Sequence, residues 1–176
     1  MSMETKVGGD VIYNGKILRL DRDEVALSDG SHSYREIVRH NGGAGVLFVR
    51  DGKILLVKQF RYAYGRELYE IPAGKLDGAE DPARAALREL KEETGFLATQ
   101  AKLLAKIFPS PGYTDEIIWV YLVDEACEGE AQPDLGEFVQ GEWFCVEDVA
   151  RMIACGEICD AKTVIAFLRY QQGLLD

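Results

Sequence analysis

Residues 74–96 have the sequence GKLDGAEDPARAALRELKEETGF, which predicts a loop followed by one helix, with a glycine at each boundary. Asp81 is a favourable N-cap residue, and Pro82 suits the first helical position. Gly95 stands where a left-handed C-terminal cap is expected, so we place the helix between these two caps. At about 100° per residue, one face of this helix should pack on a core. The members of that face are Ala83, Ala86, Leu87, Leu90 and Thr94.

Three glutamates crowd the last two turns of the predicted helix. Glu89 and Glu93 are four residues apart on the flank of the core-facing stripe, and Glu92 is close by. Like charges at this spacing destabilise a helix by roughly 0.2–0.5 kcal/mol per pair. Arg88 and Lys91 are near, but neither is placed to neutralise all three carboxylates. A bound divalent cation would relieve the repulsion, since Mg²⁺ prefers oxygen ligands, whereas an ordinary solvated acidic face is the alternative.

The same stretch resembles the Nudix box with every defining position filled, and a pattern with so many fixed positions is highly specific. The box positions are Gly74, Glu80, Arg88, Glu89, Leu90, Glu92, Glu93, Thr94, Gly95 and Phe96. The resemblance extends over about residues 35–170 and is closest to ADP-ribose pyrophosphatases and related nucleoside-diphosphate-sugar hydrolases. That subfamily is indicated by Arg35-Glu36, Gln59-Phe60-Arg61, Glu70-Ile71-Pro72-Ala73-Gly74, Ser110-Pro111-Gly112, Gly156-Glu157-Ile158 and Asp160-Ala161-Lys162-Thr163.

Composition is that of an ordinary globular protein. The 176 residues are 47 % apolar and 28 % charged, which predicts a single domain with a substantial core. We divide this domain, residues 1–176, into an N-terminal dimerisation arm (1–40) and a Nudix core (41–176). The net charge of −10 disfavours nucleic acid or an anionic membrane as a partner. No stretch has the apolar length of a membrane span or signal region.

The cysteine pattern favours a cytoplasmic protein. No Cys-x-x-Cys pair occurs, and His32 and His40 are far from the cysteines in sequence, so a zinc site or disulfide framework is not expected. We expect reduced and mostly buried thiols in a cytoplasm. The cysteines are Cys127, Cys145, Cys155 and Cys159.

Strand and turn signals predict an α+β fold. Residues 7–40 have short alternating stretches, with turns at Asn14-Gly15 and Asp29-Gly30, and predict an antiparallel meander. Asp51-Gly52 predicts a hairpin between two apolar strands. The resemblance implies that these elements form the Nudix α/β/α sandwich, with a mixed central sheet and an N-terminal antiparallel strand arm. The core strands are expected at 45–50, 53–60, 102–108, 116–123 and about 138–144, and the later helices at 147–155 and 163–171.

Metal ligands are the first group of candidate site residues. Glu89 and Glu93 are preferred because they share a helical flank, and Glu92 could complete a site with two or more metals. The resemblance adds the backbone carbonyl of Ala73 and implies Mg²⁺ as the cofactor, with Mn²⁺ as a possible substitute. Structural roles in the motif fall to Gly74 and Gly95 and to an expected ion pair between Glu80 and Arg88.

The general base is less well defined. The resemblance places it on an acidic loop late in the chain, where Glu137 aligns best. Asp134 and Glu142 compete for this role, and Glu92 is the helix alternative. Glu137 as a solvated loop acid also remains open.

Substrate contacts are predicted mainly from the resemblance. Arg61 ends a strand and could pair with a phosphate, the alternative being a surface salt bridge. Pro111 and Gly112 would shape a loop against the ribose or base, and Glu116 would hydrogen-bond there. Two further positions, Arg35 and Glu36, match residues that reach into the partner subunit's pocket in relatives, which predicts a homodimer. Tyrosines that could stack on a base, or simply belong to the core, are Tyr13, Tyr62, Tyr64 and Tyr113.

Together these features predict a Mg²⁺-dependent hydrolase of ADP-ribose or a similar nucleoside diphosphate sugar, giving a nucleoside monophosphate and a sugar phosphate. A preference for GDP-mannose or a UDP-sugar is the alternative within the same chemistry. A non-catalytic regulator that binds nucleotide sugars is the alternative of another class. The intact Glu89, Glu92 and Glu93 argue against it, because a pure binder has no need for crowded carboxylates.

Overall fold

A computed structural model describes residues 3–132 and 138–173. The chain divides into two compact units, the first comprising residues 1–42 and 108–117 and the second residues 43–107 and 118–176. Among the described residues, no helix is long and apolar enough to cross a membrane.

The first unit is an antiparallel three-stranded sheet, as the alternating stretches predict. Its strands are β1 (Thr5–Asn14), β2 (Arg19–Ala26) and β3 (His32–Arg39). The turn at Gly15 is present, with its N–H donating to the Leu18 carbonyl at 3.0 Å. At the second turn, Gly30 has a φ of 84°, the left-handed conformation that glycine adopts without strain.

Residues 108–117 belong to this first unit, although we expected an arm of residues 1–40 alone. The Val38 N–H donates to the Tyr113 carbonyl at 2.7 Å, and the Asp115 N–H donates to the Val38 carbonyl at 3.2 Å. Arg39 and Asp115 add an ion pair at 3.1 Å. These long-range contacts were not visible in the local sequence pattern.

Among its described residues, the second unit contains a mixed sheet of seven strands and a separate two-stranded ladder. The strands are β4 (Gly43–Arg50), β5 (Lys53–Arg61), β6 (Arg66–Glu70), β7 (Ala73–Lys75), β8 (Phe96–Leu97), β9 (Lys102–Ile107), β10 (Ile118–Val123), β11 (Cys127–Glu128) and β12 (Gln140–Cys145). The path of the sheet is β12-β5-β4-β10-β9, with β6 beside β5 and β7 beside β4; β10 runs parallel to β4 and the other pairs are antiparallel. The ladder joins β8 to β11. The helices are α1 (Pro82–Thr94), α2 (Val146–Ala154) and α3 (Ala161–Gln171), with a 3₁₀ turn at Tyr62–Tyr64.

Helices cover both faces of this sheet because β4 is apolar on both sides. Val46 and Phe48 pack with Leu90 of α1 in one buried cluster. Leu47 packs with Phe167 of α3 in the other, and α2 contributes to the same cluster. Successive side chains of a strand point to opposite faces, so one continuous apolar strand serves two cores. The result is an α/β/α sandwich.

The hairpin at Asp51-Gly52 is observed, with φ values of 49° and 71°. In the second unit, the five core strands with predicted bounds and both later helices lie within two residues of their predicted ends. The short strands β6, β7, β8 and β11 were not predicted, because two to five residues carry too little alternation to be distinguished from a loop.

The prediction of mostly buried thiols was wrong, since all four cysteines are free and exposed. Cys127 and Cys145 lie at strand ends, and Cys155 and Cys159 flank the connection between α2 and α3. Cysteine's preference for the interior is a compositional tendency. A cysteine at the end of a strand or helix can still be exposed despite this preference.

Candidate active site

Helix α1 is fixed at both ends by the predicted caps. Asp81 Oδ1 accepts from the N–H groups of Ala83 and Arg84 at 3.0 and 3.1 Å. Gly95 has a φ of 78°, and its N–H donates to the Lys91 carbonyl at 2.8 Å. These caps fix the residues at which the helix begins and ends.

The core-facing side of α1 includes two of its acids. Ala86 and Leu90 are buried as predicted, but so are Ala85, Glu89 and Glu93. We expected these two carboxylates on the flank of the stripe. Their burial means that they face protein groups, and those groups belong to strand β7.

Both buried carboxylates of α1 contact strand β7. Glu93 Oε2 accepts from the Ala73 N–H at 3.1 Å. A Cβ built on Gly74 would lie 2.1 Å from Glu89 Oε1, so this carboxylate rests directly on the glycine backbone. The structure therefore brings Ala73, Gly74, Glu89 and Glu93 together, although Ala73 precedes the predicted box and the two acids lie near its other end.

Arg88 forms ion pairs with three acids, Glu80, Glu89 and Glu92. Its Nη1 contacts Glu89 Oε1 at 2.7 Å and Glu92 Oε2 at 2.8 Å. Its Nη2 bonds Glu80 Oε2 at 3.0 Å and the Lys75 carbonyl at 3.2 Å, so the expected ion pair with Glu80 is present. The hydrogen bond with Glu80 is the largest of the influences that raise the Arg88 pKa, and it lowers the pKa of Glu80. The Arg88 guanidinium thus links helix α1 to Lys75 and Glu80 in the segment that precedes the helix.

These groups suit a hard divalent cation by their chemistry. They offer glutamate carboxylates and, in the β7 loop, backbone carbonyl oxygen, which are the ligands that Mg²⁺ prefers. Within the described residues, no three His, Cys, Asp or Glu side chains converge as a metal-binding group.

Arg61 forms an ion pair with a buried carboxylate. Its Nε and Nη2 donate to the two carboxylate oxygens of Glu70 at 2.6 and 2.7 Å. Glu70 also accepts from Lys162 Nζ. Burial is the largest single influence on the Glu70 pKa and raises it, but Arg61 and Lys162 outweigh this effect, so the pKa is lowered. The alternative of a salt bridge is therefore observed, with a buried carboxylate as the partner.

Sequence reasoning did not select the residues around this carboxylate. Lys162 Nζ lies 3.1 Å from Asp160 Oδ1. The Thr163 hydroxyl donates to Asp160 Oδ2 at 2.6 Å and accepts from the Ile71 N–H at 2.8 Å. The only sequence signal for them was the resemblance of residues 160–163 to the subfamily.

The other predicted substrate residues lie in the first unit. Arg35 pairs with Glu4, and Glu36 stands opposite Arg22 in the ladder between β2 and β3. Residues 110–114 form a hydrogen-bonded turn that contains Pro111 and Gly112. Glu116 Oε1 lies 3.3 Å from His40 Nδ1. The tyrosines proposed for stacking are all exposed and do not belong to the core: Tyr13, Tyr62, Tyr64 and Tyr113.

The candidates for the general base divide between described and undescribed residues. Glu137 and Asp134 lie outside the described residues. Glu142 lies on β12, where its Oε2 accepts from the Tyr69 hydroxyl at 3.4 Å. Burial, followed by the charge of Glu142, raises the Tyr69 pKa, so the hydroxyl stays protonated as the donor.

Comparison with known proteins agrees with this fold. A crystal structure of an ADP compounds hydrolase superposes with a TM-score of 0.84, covering 97 % of this chain and 94 % of that one at 19 % identity. This similarity confirms the predicted fold class, a helix-flanked mixed sheet of the Nudix type.

A NUDIX domain model matches residues 39–167. An ADP-ribose pyrophosphatase of Bacillus subtilis is 42 % identical, covering 98 % of this chain and 97 % of its own length. A methanol dehydrogenase activator of Bacillus methanolicus is 39 % identical, covering 97 % and 95 %. The chain belongs to the Nudix family, and the predicted family and enzyme class, a Nudix hydrolase, are confirmed.

Proposed function

We propose that this protein hydrolyses the pyrophosphate bond of ADP-ribose with Mg²⁺ as cofactor, giving AMP and ribose 5-phosphate. The observation that carries the proposal is the seating of Glu89 and Glu93 against Ala73 and Gly74, with Glu92 beside them. Similarity over nearly the full length to the Bacillus subtilis ADP-ribose pyrophosphatase supports this choice of substrate.

The metal would be held by Glu89, Glu92 and Glu93 and by the Ala73 carbonyl. When bound, it would neutralise phosphate oxygens and favour ionisation of a water. The protein's own contribution is to hold these acids close together. Arg88 offsets their mutual repulsion, and the burial of Ala86 and Leu90 sets the side of α1 on which they lie.

The remaining roles are part of the same proposal. We assign Arg61 to a substrate phosphate, Glu137 to proton removal from the attacking water, and Glu116 to hydrogen bonding with the substrate. Arg35 and Glu36 would serve the partner subunit's pocket in a homodimer, and the loop with Pro111 and Gly112 would line the ribose or base. Four free cysteines are consistent with a cytoplasmic location.

A second candidate is a regulator that binds nucleotide sugars without hydrolysing them. The Bacillus methanolicus relative, named as an activator of another enzyme, is the observation that favours it. The complete set of box carboxylates favours the hydrolase instead, because binding alone has no need of them.

A substrate panel separates these candidates. Phosphate release in a phosphatase couple would be measured for ADP-ribose, GDP-mannose and UDP-glucose, with Mg²⁺ or with EDTA. We expect Mg²⁺-dependent release that is fastest from ADP-ribose. A higher kcat/KM for GDP-mannose or UDP-glucose would overturn the substrate assignment. Tight nucleotide-sugar binding without release would favour the regulator.

A further inference from the structure

Glu70, at the end of β6, is a buried carboxylate shared by two cations. It is 2 % exposed. Arg61 holds both of its oxygens, and Lys162 bonds Oε2 as well. A buried charge is tolerated only when it is paired, and an uncompensated one strongly destabilises the fold. Glu70 needs one cation for this purpose and has two.

The two cations differ in exposure and in how firmly they are held. The Lys162 side chain is 10 % exposed and lies between Glu70 and Asp160, whereas the Arg61 side chain is 39 % exposed. Asp160 is itself fixed as the N-cap of α3 through Thr163. Arg61 is therefore the cation with freedom to leave.

The position of Lys162 is otherwise unfavourable. It lies in the first turn of α3, where the partial positive charge of the helix end disfavours a cation. The acids on either side, Glu70 and Asp160, provide the compensating interactions. The two acidic partners of Lys162, and not the helix dipole, therefore explain why a lysine is stable at this position.

Arg61 also lies within electrostatic reach of the acidic site. The Glu70 hydrogen bond is the first cause of its raised pKa, and the charges of Asp160 and Glu93 contribute further. Glu93 is one of the two acids seated on the β7 loop. A substrate diphosphate bound at those acids would therefore have Arg61 nearby.

We propose that Lys162 is a positioning residue: it keeps Glu70 paired when Arg61 turns from Glu70 to a substrate phosphate. This inference rests on the proposed function, because it assigns Arg61 a phosphate to bind. Without the lysine, the departure of Arg61 would leave Glu70 buried and unpaired, so Arg61 would remain on Glu70. Substrate binding would weaken while the chemistry at α1 stayed intact.

The test compares K162M, K162R and the double variant E70Q/K162M in steady-state hydrolysis of ADP-ribose and in calorimetric binding of ADP. We expect K162M to raise KM and the ADP Kd about tenfold, with kcat within about threefold of wild type, as for loss of uniform binding. K162R should restore both constants. E70Q/K162M should also restore them, because a neutral glutamine does not retain Arg61. The matched control is K58M, which removes a Lys58–Glu67 ion pair of 2.9 Å on the same two strands.

Each result bears on one claim. An unchanged KM and Kd in K162M, or a defect that persists in E70Q/K162M, overturns the role of Lys162. A lower melting temperature with unchanged KM shows a purely structural lysine and overturns it as well. A wild-type protein that neither hydrolyses ADP-ribose nor binds ADP overturns the proposed function, and this inference with it. In that case the failure is visible before any variant is made.

Discussion

Gly74 and Glu89 are in direct contact, and a Cβ on the glycine would lie 2.1 Å from the nearest carboxylate oxygen. A Cβ atom does not approach another heavy atom to less than about 3 Å, so either β7 or the glutamate would have to move if residue 74 were not glycine. Because the first residue of the Nudix box has no side chain, the carboxylate of Glu89, fifteen residues later, can lie against its backbone. This contact joins β7 to helix α1.

Gly74→Ala should displace Glu89 and abolish most of the activity. A displacement of about 1 Å at a catalytic group can lower the rate by roughly 10²-fold, so kcat/KM for ADP-ribose should fall at least that far. Overpacking of this kind typically costs about 1–3 kcal/mol of stability, measurable by urea unfolding. Gly141→Ala is the control, since its added methyl meets Leu55 at an ordinary 3.5 Å. Equal kcat/KM in the two variants would contradict the contact.

Glu137→Gln should lower kcat with little change in KM, because it removes a general base. Such help is typically worth about 10²–10⁴-fold. Asp134→Asn and Glu142→Gln should do much less, and Glu142 is already bonded to the Tyr69 hydroxyl. Steady-state kinetics with all three variants would decide. A large loss of kcat in the Glu142 variant alone would show that Glu137 is wrongly aligned with the general base of relatives. If neither glutamate variant loses activity, Glu92 becomes the candidate for the general base.

Arg39→Ala should destabilise the first unit in a pH-dependent way. Arg39 pairs with Asp21, Asp23 and Asp115, and the first two are buried. Burial raises the Asp21 pKa, but hydrogen bonds from Arg19 and Arg39 outweigh it, so the pKa is lowered. A lowered pKa stabilises the fold above the ordinary aspartate value of about 3.9, and this contribution is lost as the pH falls through the folded-state pKa.

The loss of unfolding free energy in Arg39→Ala should therefore be large at pH 7 and shrink below about pH 4. Urea unfolding at a series of pH values measures it. Arg22→Ala is the control, since its ion pair with Asp10 is exposed and contributes little. A loss that does not vary with pH would contradict the assignment.

The strand arm should mediate a homodimer. Apolar side chains of β1 are exposed in the single chain, including Val7, Val11 and Ile12. Exposed apolar patches often mark protein–protein interaction sites. Sedimentation equilibrium at micromolar concentration should give a dimer, and Val11→Glu should shift it toward monomer. A monomeric wild-type protein would exclude the arm as a dimerisation element.

The features that sequence predicts best here are local ones. The caps Asp81 and Gly95 and the turn Asp51-Gly52 depend on a few neighbouring residues, so their types alone determine the outcome. The Nudix resemblance extended this local information to the fold and the family. The exposure of the cysteines was missed because it depends on where an element ends.

Contacts between residues that are far apart in the sequence could not be predicted from local patterns. The pairing of Arg61 with Glu70 joins two strands of a hairpin, but Lys162 reaches the same carboxylate from a helix 92 residues later. The burial of Glu89 and Glu93 likewise depends on β7, a three-residue strand with no pattern of its own. Periodicity places these acids on a flank, and only the packed loop shows what they face.

The comparison of Glu93→Gln with wild type tests the central claim most directly. ADP-ribose hydrolysis would be measured across a Mg²⁺ titration, with product identification, and Glu125→Gln, an exposed change, would serve as the control. We predict AMP and ribose 5-phosphate from wild type and control, no turnover from Glu93→Gln, and an unchanged fold by circular dichroism. Glu93→Gln activity that still depends on Mg²⁺ and lies within about tenfold of wild type, a barrier change near 1.4 kcal/mol, would contradict the assignment of this acid to the metal.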